Sequence, residues 1–131
     1  MTPVQADVLI IGCGIAGAST ALRLSEDRQR QITIVTRADD PEESNTRYAQ
    51  GGIVSLGRDD SPDLLARDVI EAGAGLSLPS AARILAEEGP PLVQSLLIEQ
   101  AGVVFDRAPD GSPEYGMEGA HSLPRILHVG D

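Results

Sequence analysis

Val8-Leu9-Ile10-Ile11-Gly12-Cys13-Gly14-Ile15-Ala16-Gly17 is the stretch on which the reading of the fold turns. Its first four residues form a continuous apolar run, the pattern of a strand buried on both faces of a parallel sheet. Three glycines in GxGxxG spacing follow. From Ala16 to about Glu26 the sequence then reads as a helix, with Ala18, Ala21, Leu22 and Leu24 on its inner side. Ile32-Thr33-Ile34-Val35 is a second β-branched run, which completes strand, helix and strand within about 30 residues. A parallel pair joined by a right-handed helical crossover is the simplest structure for that order. In this context each glycine has its own task. Gly12 permits the tight turn out of the strand, Gly14 lets a pyrophosphate approach the backbone, and Gly17 lets the helix pack closely on the strands. The helix start at Ile15 and Ala16 offers unpaired N–H groups and a partial positive charge to phosphates. Cys13 reads as a small filler in the turn, where a bound pyrophosphate would cover it.

Beyond Arg37 the periodicity vanishes until about Asp60, and a structureless stretch of that length in a compact domain is usually functional or disordered. Ser61-Pro62-Asp63 then opens a helix with an N-cap serine, a first-turn proline and a first-turn acid, and Gly73 closes it. Ser77 and Pro79 open a second helix that ends near Gly89. Pro90-Pro91 is expected to restart a third, with Leu92, Val93, Leu96 and Leu97 on its apolar face and Gly102 as its stop. Val103-Val104-Phe105 reads as a strand before a turn at Pro109-Asp110-Gly111, and residues 114–131 show no firm pattern. The expected class is α/β: a Rossmann-like βαβ unit with a parallel sheet that is incomplete, followed by helices. Its parts are a βαβ core over 7–36, a loop over 37–60, a helical segment over 61–102 and a further region over 103–131. No closing helix or strand ends the sequence, so an N-terminal portion of a longer polypeptide is expected.

Composition narrows the function. The net charge is −10, from 20 acidic residues against 10 basic ones, all arginine. That balance speaks against nucleic-acid or anionic-membrane binding, which needs a basic stripe. The runs Asp39–Glu43 and Arg58-Asp59-Asp60 read as solvated loop charge and not as a metal site, and no metal is expected. A single cysteine allows no internal disulfide and suits the cytoplasm. The N-terminus lacks the pattern of a secretory signal, and no apolar run approaches the ~20 residues of a membrane span.

The glycines alone leave the nucleotide open. Motifs of this kind usually place an acid at the end of the second strand to hold the ribose. Here Thr36-Arg37 stands there, and an arginine suits the 2′-phosphate of NADP as well as it suits FAD. The loop Ser44-Asn45-Thr46-Arg47-Tyr48-Ala49-Gln50-Gly51-Gly52-Ile53 decides between them. It resembles the flavin-contacting loop of the succinate dehydrogenase/fumarate reductase flavoprotein superfamily, and within it that of the L-aspartate oxidase family. The likeness continues through Ala72–Leu76, Gly102–Arg107, Glu118-Gly119-Ala120-His121-Ser122 and Arg125-Ile126-Leu127-His128, so it covers essentially the whole chain. Gly51 and Gly52 would let a flat isoalloxazine lie against backbone, and Ser44, Asn45 and Thr46 would hydrogen-bond phosphate and ribitol oxygens.

The resemblance implies FAD as cofactor, helices leading toward a capping domain, and oxidation of L-aspartate to iminoaspartate. That product would feed quinolinate and NAD synthesis, with O₂ or fumarate as electron acceptor and a possible link to quinolinate synthase. Asn45 stands where the respiratory enzymes have a flavin-linked histidine, so non-covalent FAD is implied. Arg37 matches a position that is commonly basic in the oxidases. Glu118 matches a glutamate near the substrate, suited to the α-ammonium group. His121 and Ser122 match a pair that shapes the site, and His128 is either structural or part of it. Met117 and Ala120 depart from the pattern, which has an arginine and a second glycine there. Catalytic residues of the family would lie beyond Asp131, so the isolated 131-residue chain is expected to be inactive. Two alternatives stay open: a fumarate reductase or succinate dehydrogenase flavoprotein, and a non-catalytic nucleotide-binding fragment.

Overall fold

The computed structural model describes residues 3–130, which form two compact units, one up to Gln50 and one from Gly51. The first contains β1 (Val8–Ile11), α1 (Ile15–Leu24) and β2 (Ile32–Val35). β1 and β2 pair in parallel, with Val8 opposite Ile32 and Ile11 opposite Val35, as the strand–helix–strand order predicts. Both ends of the pair are tied. The Asp7 carboxylate accepts from the Gln31 amide at 2.7 Å, and the Gly12 amide donates to the Val35 carbonyl at 2.8 Å. α1 ends at Leu24, short of Glu26, where the chain tightens into a turn closed by the Asp27 amide on the Leu24 carbonyl at 3.2 Å. Two expectations fail here. β1 is not covered on both faces, for Leu9 is 58% and Ile11 84% exposed while Val8 and Ile10 are half-buried. A lone helix covers one face of a two-stranded sheet, and nothing among the described residues of this unit covers the other. Leu22 also points outward from α1.

The second unit contains β3 (Gly52–Val54), α2 (Pro62–Ala72), α3 (Pro79–Leu92), a π-helical stretch (Val93–Gln100) and β4 (Ile126–His128). β3 and β4 pair antiparallel, Gly52 opposite His128 and Val54 opposite Ile126. Both strands arise where the sequence shows no periodicity; three residues are too few to display an alternation. α2 starts as its capping chemistry dictates, with Ser61 Oγ accepting from the Leu64 amide at 3.3 Å and Pro62 first in the helix. Leu65 and Ala66 of α2 meet Ala86 of α3 in the core, joined by Val54, Leu56 and Val69.

Pro90 and Pro91 do not begin a new helix. α3 runs through them, and the chain continues without a break into the π-helical stretch. A proline lacks an N–H and its ring crowds the carbonyl one turn back; wider winding immediately afterwards takes up that misfit without ending the helix. Gly102, at φ +70°, does end it. Val103-Val104-Phe105 is not a strand either. The Val103 amide donates to Leu97 at the helix end (2.9 Å), so this segment enters no ladder. The turn at Pro109-Asp110-Gly111 forms as expected, closed by Gly111 N–H to the Ala108 carbonyl at 2.8 Å.

Candidate functional site

The first unit brings the glycines of the opening motif together with the loop that follows β2. Gly12 adopts φ +104°, a conformation that side chains with a Cβ rarely enter. At Gly17 a Cβ would drive into the Gly12 carbonyl oxygen, which is why helix and strand approach so closely there. At Gly14 a Cβ would lie 3.2 Å from Thr46 Oγ1 and 3.9 Å from Ser44 Cβ. Thr46 Oγ1 accepts the Ile15 amide at 2.9 Å, so it seats the loop on the start of α1. α1 has no side-chain N-cap on Gly14; the first N–H groups of a helix have no acceptor within it and carry the positive end of its dipole. Cys13 is half-buried in the turn.

Residues 44–49 are wound into consecutive tight turns. Ser44, Asn45 and Thr46 carbonyls accept from Arg47, Tyr48 and Ala49 at 3.1, 3.2 and 3.3 Å. Two side-chain pairs brace them. Arg47 Nη1 lies 3.2 Å from Asp40 Oδ2, and the Tyr48 hydroxyl donates to Glu43 at 2.9 Å, a bond that raises the phenol's pKa above its ordinary value. The acids of the run 39–43 are thus partly engaged, though solvated. Arg37 sits exposed just past β2, and Gln50 closes the unit, also exposed.

In the second unit, Gly52 begins β3 and is crowded. A Cβ there would meet Ile126 Cγ2 at 2.7 Å, Glu118 Oε1 at 2.8 Å and His128 Cε1 at 3.1 Å. Gly116 faces the same imidazole, its virtual Cβ 2.5 Å from His128 Nε2. Gly51, by contrast, has ordinary clearance, with Val129 O at 3.7 Å. His128 therefore lies in a slot between two glycines, its Nε2 3.9 Å from Glu118 Oε1. Glu118 itself is half-exposed, and its carbonyl accepts the His121 amide at 3.3 Å, closing a turn over 118–121. Ala120 in that turn adopts φ +69°. That value explains why the pattern has glycine at this position, and the alanine here takes up a left-handed backbone at a cost.

The feature that sequence reasoning missed is a buried charge cluster. Arg125 is fully buried. Its Nη2 donates to Asp60 Oδ1 at 3.0 Å and its Nη1 to Asp68 Oδ2 at 2.9 Å, while Nε lies 2.8 Å from Asp60 Oδ2 as a charge contact off the hydrogen-bond line. Asp68 also accepts the Ser122 amide at 2.8 Å and hydroxyl at 2.7 Å, and Arg67 stands 3.6 Å from its other oxygen. Burial pushes the Asp68 pKa up, but the two Ser122 bonds and the Arg125 charge outweigh it, and the net shift is downward. Asp60 is consequently not solvated loop charge, as the run Arg58-Asp59-Asp60 suggests; its side chain is fully buried against Arg125. Ser122 is committed to Asp68. The signal lay in a lone arginine between apolar residues in Pro124-Arg125-Ile126-Leu127, which reads as a buried cation seeking carboxylates.

The chain matches the FAD-binding domain family over residues 7–131. It is 42% identical over 122 residues to the L-aspartate oxidase of Mesorhizobium japonicum, a match covering 92% of this chain and 23% of that one. It is 39% identical over 129 residues to that of Streptomyces coelicolor, with coverages of 97% and 21%. Among solved structures, the Sdh1 complex of Mycobacterium smegmatis in the apo form superposes with a TM-score of 0.84 at 31% identity, over 96% of this chain and 21% of that one. A quinol-fumarate reductase with menaquinol molecules gives a TM-score of 0.86 at 26% identity, with coverages of 100% and 22%. The chain spans about a fifth of the length of the curated relatives it matches. No helix among the described residues is long and apolar enough to cross a membrane.

Proposed function

Because the chain belongs to the FAD-binding domain family, we propose that it forms the N-terminal part of the FAD-binding domain of an L-aspartate oxidase. Its sections are the βαβ core 7–36, the flavin-contacting loop 37–60, the helical segment 61–102 and the start of a substrate-side region over 103–131. The observation that supports this most is the crook at Gly12–Gly17, where the missing Cβ of Gly14 lets Thr46 approach the start of α1 and tie the loop to it. A diphosphate fits that chemistry: small residues, helix-start N–H groups without intrahelical partners and a positive helix end. The residues that would hold FAD are Gly12 to Gly17, Arg37, and Ser44 through Gly52. Asn45 favours non-covalent attachment, since its amide cannot form the linkage a histidine can.

When bound, FAD supplies the acceptor for a hydride leaving Cα of the substrate. The chain's own share is binding and orientation. Glu118 would pair with the α-ammonium group, and the slot made by Gly52, Gly116 and His128 would fix the region beside it. L-Aspartate is the proposed substrate, with O₂ or fumarate as electron acceptor. Quinolinate synthase is proposed as a partner downstream, and the cytoplasm as the place of action.

The similarity to solved succinate and fumarate enzymes favours a second reading, a flavoprotein acting on succinate or fumarate. One experiment separates the two. The full-length protein is mixed anaerobically with L-aspartate or with succinate, and the flavin absorbance is followed. Bleaching by aspartate supports the oxidase. Bleaching by succinate alone, or yellow colour that stays with acid-precipitated protein, contradicts it.

A further inference from the structure

Arg125 does more than balance charge. Its guanidinium has donors only, so its Nη1 can hydrogen-bond His121 Nδ1, 3.4 Å away, only if that nitrogen accepts. A neutral imidazole that accepts at Nδ1 has its proton on Nε2. The guanidinium is held in place: it is fully buried, with Asp60 against Nε and Nη2 and Asp68 against Nη1. The backbone beside His121 is held as well, because the Ser122 amide and hydroxyl both bond Asp68. His121 in turn donates its own amide to the Glu118 carbonyl. One short turn therefore has a carboxylate at its first residue and an imidazole of fixed tautomer at its fourth.

We propose that Arg125 is a positioning residue that keeps His121 in the Nε2–H form, so that the 118–121 turn offers a carboxylate and a neutral N–H donor to the ammonium and carboxylate groups of an α-amino acid. This inference rests on the proposed role of Glu118 beside the substrate. A dicarboxylate without an amine would engage the donor and leave the Glu118 carboxylate without a cation.

Two measurements on the full-length, FAD-loaded protein test it. The first is a long-range nitrogen–proton correlation spectrum with ¹⁵N-histidine, His121 being assigned through His121→Asn. A proton on Nε2 is the expected result; a proton on Nδ1 overturns the proposal. The second compares L-aspartate binding, read from the flavin spectrum, in wild type, His121→Gln and His121→Ala. A glutamine amide can take the place of Nε2–H, so His121→Gln should bind within a few-fold of wild type. His121→Ala should bind about tenfold or more weakly, the loss of one hydrogen bond to a charged group. Equal weakening in both variants, or none in either, overturns the proposal. Arg125→Lys, where it folds, should release His121 into a mixture of tautomers; an unchanged Nε2–H population there contradicts the role of Arg125. Where it does not fold, the wild-type spectrum and the glutamine–alanine pair still decide. A protein that retains FAD, has Nε2–H at His121, and responds to neither aspartate nor succinate would refute the substrate reading and not the tautomer.

Discussion

The two units are built on opposite principles. In the first, the decisive groups are main-chain: the N–H groups at the start of α1 and the glycine turn that leads into it from a parallel strand pair. In the second, a buried apolar cluster around Leu65 and Ala86 adjoins a buried guanidinium held by two carboxylates. A backbone site needs only small residues in the right order. A side-chain site needs residues far apart in sequence to meet: Asp60 and Asp68 reach Arg125 across 65 and 57 positions.

The largest effect should come from breaking the charge cluster. Arg125→Met leaves Asp60 and Asp68 buried without their cation, and should destabilise the second unit by about 3–5 kcal/mol. Denaturant unfolding of the full-length protein measures this. A loss below about 1 kcal/mol, the scale of an exposed ion pair, would erase the contrast between the units. Next is Gly17→Ala, whose methyl has the Gly12 carbonyl in its way; it should cost about 1–3 kcal/mol by overpacking and weaken FAD retention, while the second unit keeps its resistance to proteolysis.

This contrast also explains what was legible in the sequence. The βαβ unit could be read because Val8–Ile11, the glycines and Ile32–Val35 lie close together and each obeys a local rule. α2 could be read from Ser61-Pro62-Asp63 for the same reason. β3 and β4 could not, since Gly52–Val54 and Ile126–His128 are strands only because they pair with each other. Pro90-Pro91 misled because the local rule predicts a break, while the wider winding over Val93–Gln100 absorbs the prolines. Asp60 misled because its neighbours Arg58 and Asp59 are exposed, and nothing local announces a partner at Arg125. Of the proposed site, the glycine crook and the Thr46 loop were legible; the slot around His128 and the clamp on Ser122 were not.

Smaller effects sharpen the comparison. The Asp68 pKa is lowered in the folded state, so its contribution to stability is present above the unfolded value of 3.8 and is lost as pH falls through the folded value. Asp68→Asn should therefore flatten the acid limb of a stability–pH profile below about pH 4. An identical acid limb in the variant would mean that other carboxylates govern it. Ala120→Gly should stabilise by about 0.5–1 kcal/mol, since it relieves a left-handed backbone at some cost in chain entropy. A destabilised Ala120→Gly would show that the 118–121 turn does not hold that conformation in solution.

The central claim is that a diphosphate sits against the backbone at Gly14. Gly14→Val places branched carbons where Thr46 Oγ1 already stands 3.2 Å from a Cβ. The ratio of flavin to protein absorbance in purified full-length Gly14→Val, with circular dichroism confirming the fold, tests this directly. Loss of bound FAD with the fold retained is the expected result; full FAD occupancy in that variant would contradict the claim.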